Sequence, residues 1–394
     1  GQIINFENVE LTADGLTVIL NDQTENLVIT GFATGASTIV SGSGHDTITG
    51  GLGSDYIEGA NGNDVISGLG GADTLNGGAG NDDITIGTNT SNTEIVNVSV
   101  LGGTGDDLIK IELDELTSSD VINGGSDTDT LQFLTAGTLV DADFTNVTNV
   151  EKLILADGTN NLTLDTQAYN GGAGISTVVG GTGNDTIITY NNDTERGSLT
   201  IDLAAGGTDT LLIMNAAILG AGGSGATNAT TLLGTMALWN GTDGTSAVTV
   251  TGFTAGDGGD KIDYLNGVTN VASSGFAPEK SPSVIPNMNG YSSNSIFEID
   301  AFDFQQTTNP GNLSSVAQML SQLGNVNNGQ YYVIVYSGVT ASADAYLYAA
   351  KATNGDGFNF ADPIADANND TDTVELIGVF TGVGANAFTS QNFI

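Results

Sequence analysis

The chain has 394 residues, and its 46 Asp and Glu against 6 Lys and Arg give a formal net charge of −40. It has no basic footprint for phosphates, which excludes a nucleic-acid-binding function. With no Cys and a single His, His45, the sequence also excludes disulfides, thiolate metal sites and sites built from several imidazoles. No stretch approaches the roughly 18 apolar residues that membrane insertion needs. A hydrophobic fraction of 39% favours a folded chain over a disordered one.

Residues 1–40 are predicted to form the opening coils of a β-solenoid. Apolar and polar residues alternate over residues 3–11, 17–20 and 26–32, which is typical of half-buried strands. Residues 32–39 are in phase with the repeat array that follows, but Ser37 stands where each repeat has an aspartate. We therefore expect this coil to stack on the array without supplying a strong metal ligand.

A nine-residue repeat occupies residues 41–85. Each unit resembles Gly50-Gly-Leu-Gly-Ser-Asp-Tyr-Ile-Glu, in which a glycine-rich turn ends in an aspartate and an aliphatic residue follows two positions later. The aspartates of the five units are Asp46, Asp55, Asp64, Asp73 and Asp82. Five units in succession without an insertion define a regular array.

The spacing predicts six residues of turn followed by three residues of strand, with the central aliphatic side chain pointing inward. Two units then make one coil of a right-handed parallel β-roll, so that alternate units stack. Asp46, Asp64 and Asp82 would line one edge, and Asp55 and Asp73 the other. Carboxylates stacked at about 4.8 Å repel one another unless a cation lies between them. Asp and carbonyl oxygens favour calcium, although the aspartates could instead cap their own turns.

These repeats resemble the calcium-binding nonapeptide repeats of RTX (hemolysin-type) proteins, which match the pattern G-G-x-G-x-D-x-U-x. The resemblance implies several bound Ca²⁺ ions and secretion by the bacterial type I route. It places the mature protein outside the cell or on the surface of a Gram-negative-type bacterium.

Residues 86–272 are predicted to continue the solenoid with irregular coils and degenerate turns. Gly102-Gly-Thr-Gly-Asp-Asp107 and Gly180-Gly-Thr-Gly-Asn-Asp185 are good copies of the turn, and Asp129 ends a less regular one. Asp127 and Asp209 are weaker candidates. The candidate metal ligands outside the array are Asp107, Asp129, Asp185, Asp257 and Asp260. The last two lie in a segment, residues 252–265, that resembles the segment closing the roll in other type I substrates.

The stretch around Asn149-Val-Glu-Lys-Leu-Ile-Leu resembles coils of large RTX surface-layer proteins and adhesins. Residues 273–290, which contain three prolines, are predicted to be a linker. Residues 291–394 are predicted to form a smaller β-rich domain with one short helix at residues 312–324 and strands at residues 331–336, 345–350 and 373–380. The polar tail at residues 385–394 resembles a type I secretion signal, and an ordinary terminal strand is the alternative.

No catalytic function is expected. His45 stands in a variable turn position, and no H-E-x-x-H, G-x-S-x-G or phosphate-loop motif is present. The favoured interpretation is a structural protein that self-assembles into a surface layer or matrix fibre, with a cell-surface polysaccharide as a further candidate partner. The alternatives are the calcium-folding and secretion module of an RTX enzyme or toxin, and a segment of an RTX adhesin.

Overall fold

A computed structural model of the chain describes residues 7–87, 97–165, 168, 173–191, 199–215, 248–252, 261–263, 295–300, 329–336, 344–352 and 373–383. The chain divides into two compact units, Gly1–Gly183 and Asn184–Ile394. The described residues are almost entirely β-strand and turn, so the predicted all-β class and parallel β-solenoid are confirmed.

The first unit contains eighteen described strands and two short 3-10 helices, Leu113–Glu115 and Asp141–Phe144. The strands are β1 (Asn8–Glu10), β2 (Leu16–Ile19), β3 (Val28–Thr30), β4 (Ser37–Val40), β5 (Thr47–Gly51), β6 (Tyr56–Asn61), β7 (Val65–Leu69), β8 (Thr74–Ala79), β9 (Asp83–Thr85), β10 (Ser99–Thr104), β11 (Leu108–Ile111), β12 (Val121–Ser126), β13 (Thr130–Phe133), β14 (Thr138–Leu139), β15 (Val147–Thr148), β16 (Lys152–Ile154), β17 (Asn161–Leu164) and β18 (Thr177–Val179).

Alternate strands pair in parallel. In this unit, the first sheet has the order β1-β3-β5-β7-β9-β11-β13-β16-β18, and the second sheet has the order β15-β12-β10-β8-β6-β4-β2. Strands β14 and β17 form a third parallel pair. In the regular array, Ile48 pairs with Ile66 and Ile57 pairs with Leu75, so each coil is two nonapeptides long. The predicted stacking of alternate units is therefore confirmed.

The core consists of two columns of aliphatic side chains, one behind each sheet. Every member is at most 1% exposed. The first column is Ile29, Ile48, Ile66, Ile84, Ile109, Leu131, Leu153 and Val178, and the second is Ile39, Ile57, Leu75, Val100, Ile122 and Val147. Burial of each such side chain contributes about 1.5–3 kcal/mol before the entropy cost of ordering the chain. The aliphatic position of the repeat thus builds the core.

The strands of the regular array are longer than the three residues that the spacing predicts. Strand β8 continues through Gly77 and Gly78, and Gly78 pairs in register with Ala60 and Gly103. Adjacent coils approach so closely here that a methyl group built on Gly78 would overlap the Ala60 carbonyl oxygen. The glycines therefore extend the sheet into what the sequence pattern marks as turn.

The coils become longer and less regular after the regular array. Asp46, Asp64 and Asp82 end successive turns and follow one another at intervals of 18 residues. The next interval, to Asp107, is 25 residues, and the one after it, to Asp129, is 22 residues. The strands nevertheless stay in register, with Ile84 paired to Ile109 and Ile109 paired to Leu131. The described strands therefore keep their register although the coils lengthen.

The second unit contains the strands β19 (Thr186–Asn191), β20 (Leu199–Asp202), β21 (Thr210–Asn215), β22 (Val248–Thr251), β23 (Lys261–Asp263), β24 (Ser295–Asp300), β25 (Gly329–Tyr336), β26 (Ala345–Ala352) and β27 (Thr373–Phe380). Parallel pairing joins β19, β21 and β23, and also β20, β22 and β27. Strands β25, β26 and β27 form an antiparallel meander, and β24 pairs in parallel with β25. The three predicted C-terminal strands are thus present at β25, β26 and β27.

Several predicted features lie outside the described residues. They are the linker at 273–290, the helix at 312–324, the tail at 385–394, and the candidate ligands Asp257 and Asp260. None of the described helices has the length and apolar character needed to cross a membrane.

Candidate metal sites

One column of carboxylates connects successive coils along the first sheet, and we call it the first ladder. Each backbone N–H at the end of a turn donates a hydrogen bond to the side-chain carboxylate of the next coil. The donor and acceptor pairs are Leu27 N to Asp46 Oδ1 (2.8 Å), Asp46 N to Asp64 Oδ1 (2.7 Å), Asp64 N to Asp82 Oδ1 (2.7 Å), Asp82 N to Asp107 Oδ1 (2.8 Å), Asp107 N to Asp129 Oδ1 (2.9 Å) and Asp129 N to Glu151 Oε2 (2.9 Å). One oxygen of each carboxylate is therefore engaged by the fold itself.

A second ladder follows the second sheet. Ser37 N donates to Asp55 Oδ1 at 2.6 Å, and Asp55 N donates to Asp73 Oδ1 at 2.9 Å. Later on the same side, Val98 N donates to Asp120 Oδ1 at 2.8 Å. In the second unit, Asp185 N donates to Asp209 Oδ1 at 2.8 Å. The stacking predicted for the two sets of aspartates is present, and backbone N–H groups partly offset their mutual repulsion.

The ladder aspartates are buried, although acidic side chains are seldom fully buried without partners. Asp46, Asp64, Asp82, Asp107 and Asp129 are each at most 2% exposed. The Oδ2 atoms of Asp64, Asp82, Asp107 and Asp129 are buried and have no hydrogen-bond partner. Leaving a charged oxygen buried and unpartnered is costly, so four successive cases point to a ligand that the polypeptide does not provide.

Each of these oxygens faces a turn glycine and a carbonyl oxygen of the next coil. A methyl group built on Gly59 would overlap both Asp64 Oδ2 and the Gly77 carbonyl oxygen. In the second ladder, the same position on Gly50 lies 2.5 Å from Asp55 Oδ2 and 2.7 Å from the Gly68 carbonyl oxygen. The turns thus bring carboxylate and carbonyl oxygens together in a space that a side chain would fill.

This donor set suits a hard cation, and Ca²⁺ in particular, because calcium accepts six to eight oxygen ligands in flexible geometry. Among the described residues, no three Asp, Glu or His side chains converge as a cluster. A cation here would therefore take one or two carboxylate oxygens and complete its shell from turn carbonyls. The residues present fit calcium.

Burial is the largest cause of raised carboxyl pKa values in both ladders. It raises the pKa of Asp64, Asp107 and Asp129 to about 6. For Asp73 and Asp82, it raises the pKa to about 7, and it also raises the pKa of Asp55. Hydrogen bonds from backbone N–H groups oppose the shift, whereas neighbouring carboxylates add to it. A bound divalent cation would reverse this balance and favour the ionised form.

Within the regular array, Asp55 and Asp46 cap their own turns, which is the alternative role for the aspartates. Asp55 Oδ2 accepts the Gly51 N–H at 2.6 Å, and Asp46 Oδ2 accepts the Gly42 N–H at 3.4 Å. Asp64, Asp82, Asp107 and Asp129 have no such bond at Oδ2. Turn capping therefore does not account for these four carboxylates.

The repeat motif did not predict the ladder members Asp120 and Glu151, and it predicted Asp209 only as a weaker candidate. Asp120 is 1% exposed, and its Oδ2 accepts the Thr117 N–H at 2.7 Å, so both of its oxygens are used by the protein. Glu151 ends the first ladder, and Asp209, which lies in the second unit, is 2% exposed. All three precede a buried aliphatic residue by two positions, at Ile122, Leu153 and Leu211. The acidic residue and the aliphatic residue two positions later were therefore present in the sequence, but the turn before them had fewer glycines than the motif or none.

A second, outer column of side chains lies beside the first ladder. His45 Nδ1 accepts the Asn63 N–H at 2.7 Å, and the His45 N–H donates to Asn26 Oδ1 at 2.9 Å. Asn63 and Asn81 continue the column, since the Asn81 N–H donates to Asn63 Oδ1 at 3.0 Å. His45 is exposed, and its two hydrogen bonds connect three coils.

Comparison with known proteins identifies the repeats. A family model for the RTX calcium-binding nonapeptide repeat matches the chain in four copies, at residues 33–66, 58–87, 117–132 and 170–193. Searches of curated proteins and of solved structures gave no match. The matched segments contain both ladders of the regular array as well as Asp129 and Asp185.

Proposed function

We propose that this chain, an RTX repeat protein with several calcium sites, is an extracellular structural protein that self-assembles into a surface layer or matrix fibre. Proteins with these repeats are typically secreted by type I systems. The proposal assigns the chain no catalytic role. Calcium sets the time and place of folding, and the folded solenoid supplies the surface for assembly.

The supporting observation is the extent of the coil stack beyond the nonapeptide array. The first sheet of the first unit continues in register from β1 to β18, and the second sheet continues from β2 to β15. Only part of this stack is matched by the repeat family. A module that serves only calcium-dependent folding needs one compact roll, whereas a long stack offers two extended sheet faces and an end for lateral or end-to-end contacts.

The first coil provides an edge for such contacts. Among the described residues, β1 pairs only with β3, and β2 pairs only with β4. On β2, Leu16 is 42% exposed and Ile19 is 61% exposed. An edge strand with unpaired backbone groups and exposed apolar side chains can add a strand from a second molecule.

Negative charge opposes that contact in the absence of calcium. Glu7, Glu10 and Asp14 lie in the first coil, and no Lys or Arg precedes Lys110 in the sequence. Two such edges repel one another at low ionic strength. Calcium would bridge and screen the carboxylates, so assembly would follow export into a calcium-rich medium.

Light scattering during a calcium titration of the purified chain tests the proposal. We expect monomers in EGTA and large particles in millimolar calcium. Ile19→Lys, which places a charge on the edge strand, should remain monomeric while binding as many calcium ions as the wild type. Val65→Lys is the matched control, because Val65 is 48% exposed on β7, a strand paired on both sides. A wild-type chain that stays monomeric at high concentration in calcium contradicts the proposal.

A further inference from the structure

The first ladder ends at a corner that has no nonapeptide motif. Strands β12 and β15 pair Asn123 with Thr148, and strands β13 and β16 pair Thr130 with Lys152. Six residues, 124–129, connect these paired positions in one coil, and the first three of them still belong to β12, whereas three residues, 149–151, connect them in the next coil. The second coil therefore turns in three residues where the first uses six, yet the strands on both sides remain in register.

Asn149 makes this short corner possible. Its φ of 52° lies in the left-handed region, where Asn is one of the few residues other than Gly that is readily accommodated. Its side chain also donates a hydrogen bond from Nδ2 to Asn123 Oδ1 at 2.7 Å. The Asn149 backbone is thus held in one orientation against the preceding coil.

The short corner reproduces the oxygen arrangement of the regular sites. A methyl group built on Gly124 would overlap the Asn149 carbonyl oxygen and would lie 2.6 Å from Asp129 Oδ2. One coil earlier, a methyl group on Gly102 would overlap the Gly124 carbonyl oxygen and Asp107 Oδ2 in the same way. Asn149 therefore takes the place that a repeat glycine occupies in the other coils.

The charges at the corner are uncompensated by protein cations. Asp129 is 0% exposed, and its Oδ2 has no hydrogen-bond partner. Glu151 Oε2 accepts the Asp129 N–H at 2.9 Å, and this brings a second carboxylate to the same corner. The one ion pair within the described part of the chain joins Lys110 to Asp83, so neither Asp129 nor Glu151 is paired with Lys or Arg there.

We propose that this corner is an additional calcium site, in which Asp129 Oδ2 and the Asn149 carbonyl oxygen are ligands and Glu151 is a positioning residue. The extra methylene of Glu151, relative to Asp, lets its carboxylate span the shorter corner and hold the Asp129 backbone. The matched repeat segment ends at residue 132, so half of this site lies in a coil outside the repeat family. The site extends calcium binding by one coil and is independent of the assembly proposal.

Native mass spectrometry of the full chain at fixed free calcium provides the first test. Asn149→Val should bind one ion fewer than the wild type, because a β-branched residue strongly disfavours a positive φ. Asn149→Gly is the matched control and should retain the ion, because only the carbonyl is needed. The double variant Asp129→Ser/Asn149→Val should lose no more ions than Asp129→Ser alone. An unchanged ion count in Asn149→Val, or a further loss in the double variant, would overturn the proposal.

Hydrogen exchange provides a second test that leaves residues 149–151 unchanged. Calcium should slow amide exchange in a peptide covering residues 147–154 of the wild type. Asp129→Ser should abolish that protection while the peptide covering residues 56–69 remains protected. Ser is tolerated in this slot, since Ser37 occupies the equivalent position and its Oγ accepts the Phe32 N–H at 2.9 Å. Equal calcium-dependent protection of residues 147–154 in both proteins would refute the site.

Discussion

At the scale of single residues, the two oxygens of a ladder aspartate have different tasks. Asp64 Oδ1 accepts the Asp46 N–H from the coil before it, whereas Asp64 Oδ2 faces the turn glycine Gly59 and the carbonyl oxygen of Gly77 in the coil after it. One carboxylate therefore reaches into the gaps on both sides of its own coil. The backbone N–H uses one lone pair of Oδ1, so we expect Oδ2 to ligate calcium in one gap and the second lone pair of Oδ1 to ligate calcium in the other.

Asp64→Ala should consequently reduce the number of bound calcium ions by more than one. We expect the variant to bind about two calcium ions fewer than the wild type, because Asp64 has neighbours of the same ladder on both sides. Ser37→Ala should lose none, since Ser37 has no carboxylate. Native mass spectrometry or calorimetric stoichiometry gives the counts, and equal counts for wild type and Asp64→Ala would contradict shared ligation.

The raised pKa values predict opposite pH dependences with and without calcium. The pKa of Asp73 and Asp82 is about 7 in the folded chain, against about 3.9 when unfolded. Between these values the folded state binds more protons, so without calcium its stability falls as pH rises from about 4 to 7. With calcium, protons compete with the ion, and stability should rise over the same range.

Circular dichroism of the chain in calcium-stripped buffer at pH 5 and pH 8 checks this prediction. Without calcium, the β signal should be stronger and melt higher at pH 5, and the order should be reversed in millimolar calcium. Asp73→Asn/Asp82→Asn is a suitable control, because permanently neutral side chains should reduce the pH dependence without calcium. Identical melting at both pH values in the calcium-stripped buffer would contradict the burial-raised pKa values.

At the scale of elements, the repeat spacing predicted the stacking partners but not the extent of the strands. The period of nine placed Ile48, Ile57 and Ile66 in the core because every second residue of a strand faces inward. It did not show that the strands continue through the glycines, since that depends on the distance between coils. The backbone bonds from each N–H to the next carboxylate were equally invisible, because they arise only once the register is set.

Glu151 and Asn149 show where motif reading fails for a physical reason. The motif describes a six-residue corner, but residues 149–151 reach an equivalent backbone position in three residues with a different acid and no glycine. The sequence around them predicted only irregular coils, because the position of the Asn149 carbonyl oxygen beside Asp129 depends on how the two coils stack. Stacking geometry, rather than residue identity, determines which oxygens converge.

For two adjacent residues of β6, Gly59 and Ala60, we expect an exchange of Gly and Ala to change the free energy of unfolding in opposite directions. Gly59→Ala should lower the free energy of unfolding in calcium by about 1–3 kcal/mol, because the new methyl group fills the space beside Asp64 Oδ2. Ala60 has a φ of 74°, which glycine adopts more readily than alanine. Ala60→Gly should therefore raise the free energy of unfolding by about 0.5–1 kcal/mol, after the greater entropy of glycine in the unfolded chain is included. Denaturant unfolding in saturating calcium measures both changes. Equal signs for the two variants would contradict the turn geometry.

At the scale of the whole molecule, charge and burial compete. The chain carries a net charge of −40, and its first unit buries two columns of aliphatic side chains together with unpaired carboxylate oxygens. Self-repulsion and desolvation oppose this compact state, whereas ions that bind only the folded form stabilise it by mass action. The repeats predicted bound calcium, and the unpartnered oxygens of the first ladder give a structural reason to expect that folding depends on it.

The central claim is that calcium completes the ladders and thereby drives folding, and far-UV circular dichroism of the purified chain at neutral pH tests it most directly. Extracellular calcium modules bind their ions at about 0.1–1 mM, so the β signal should be weak in excess EGTA and should develop cooperatively over that range of calcium. Magnesium at the same concentration should have little effect, because it resists giving up its bound water. The same β signal and the same melting temperature in EGTA and in millimolar calcium would contradict the account.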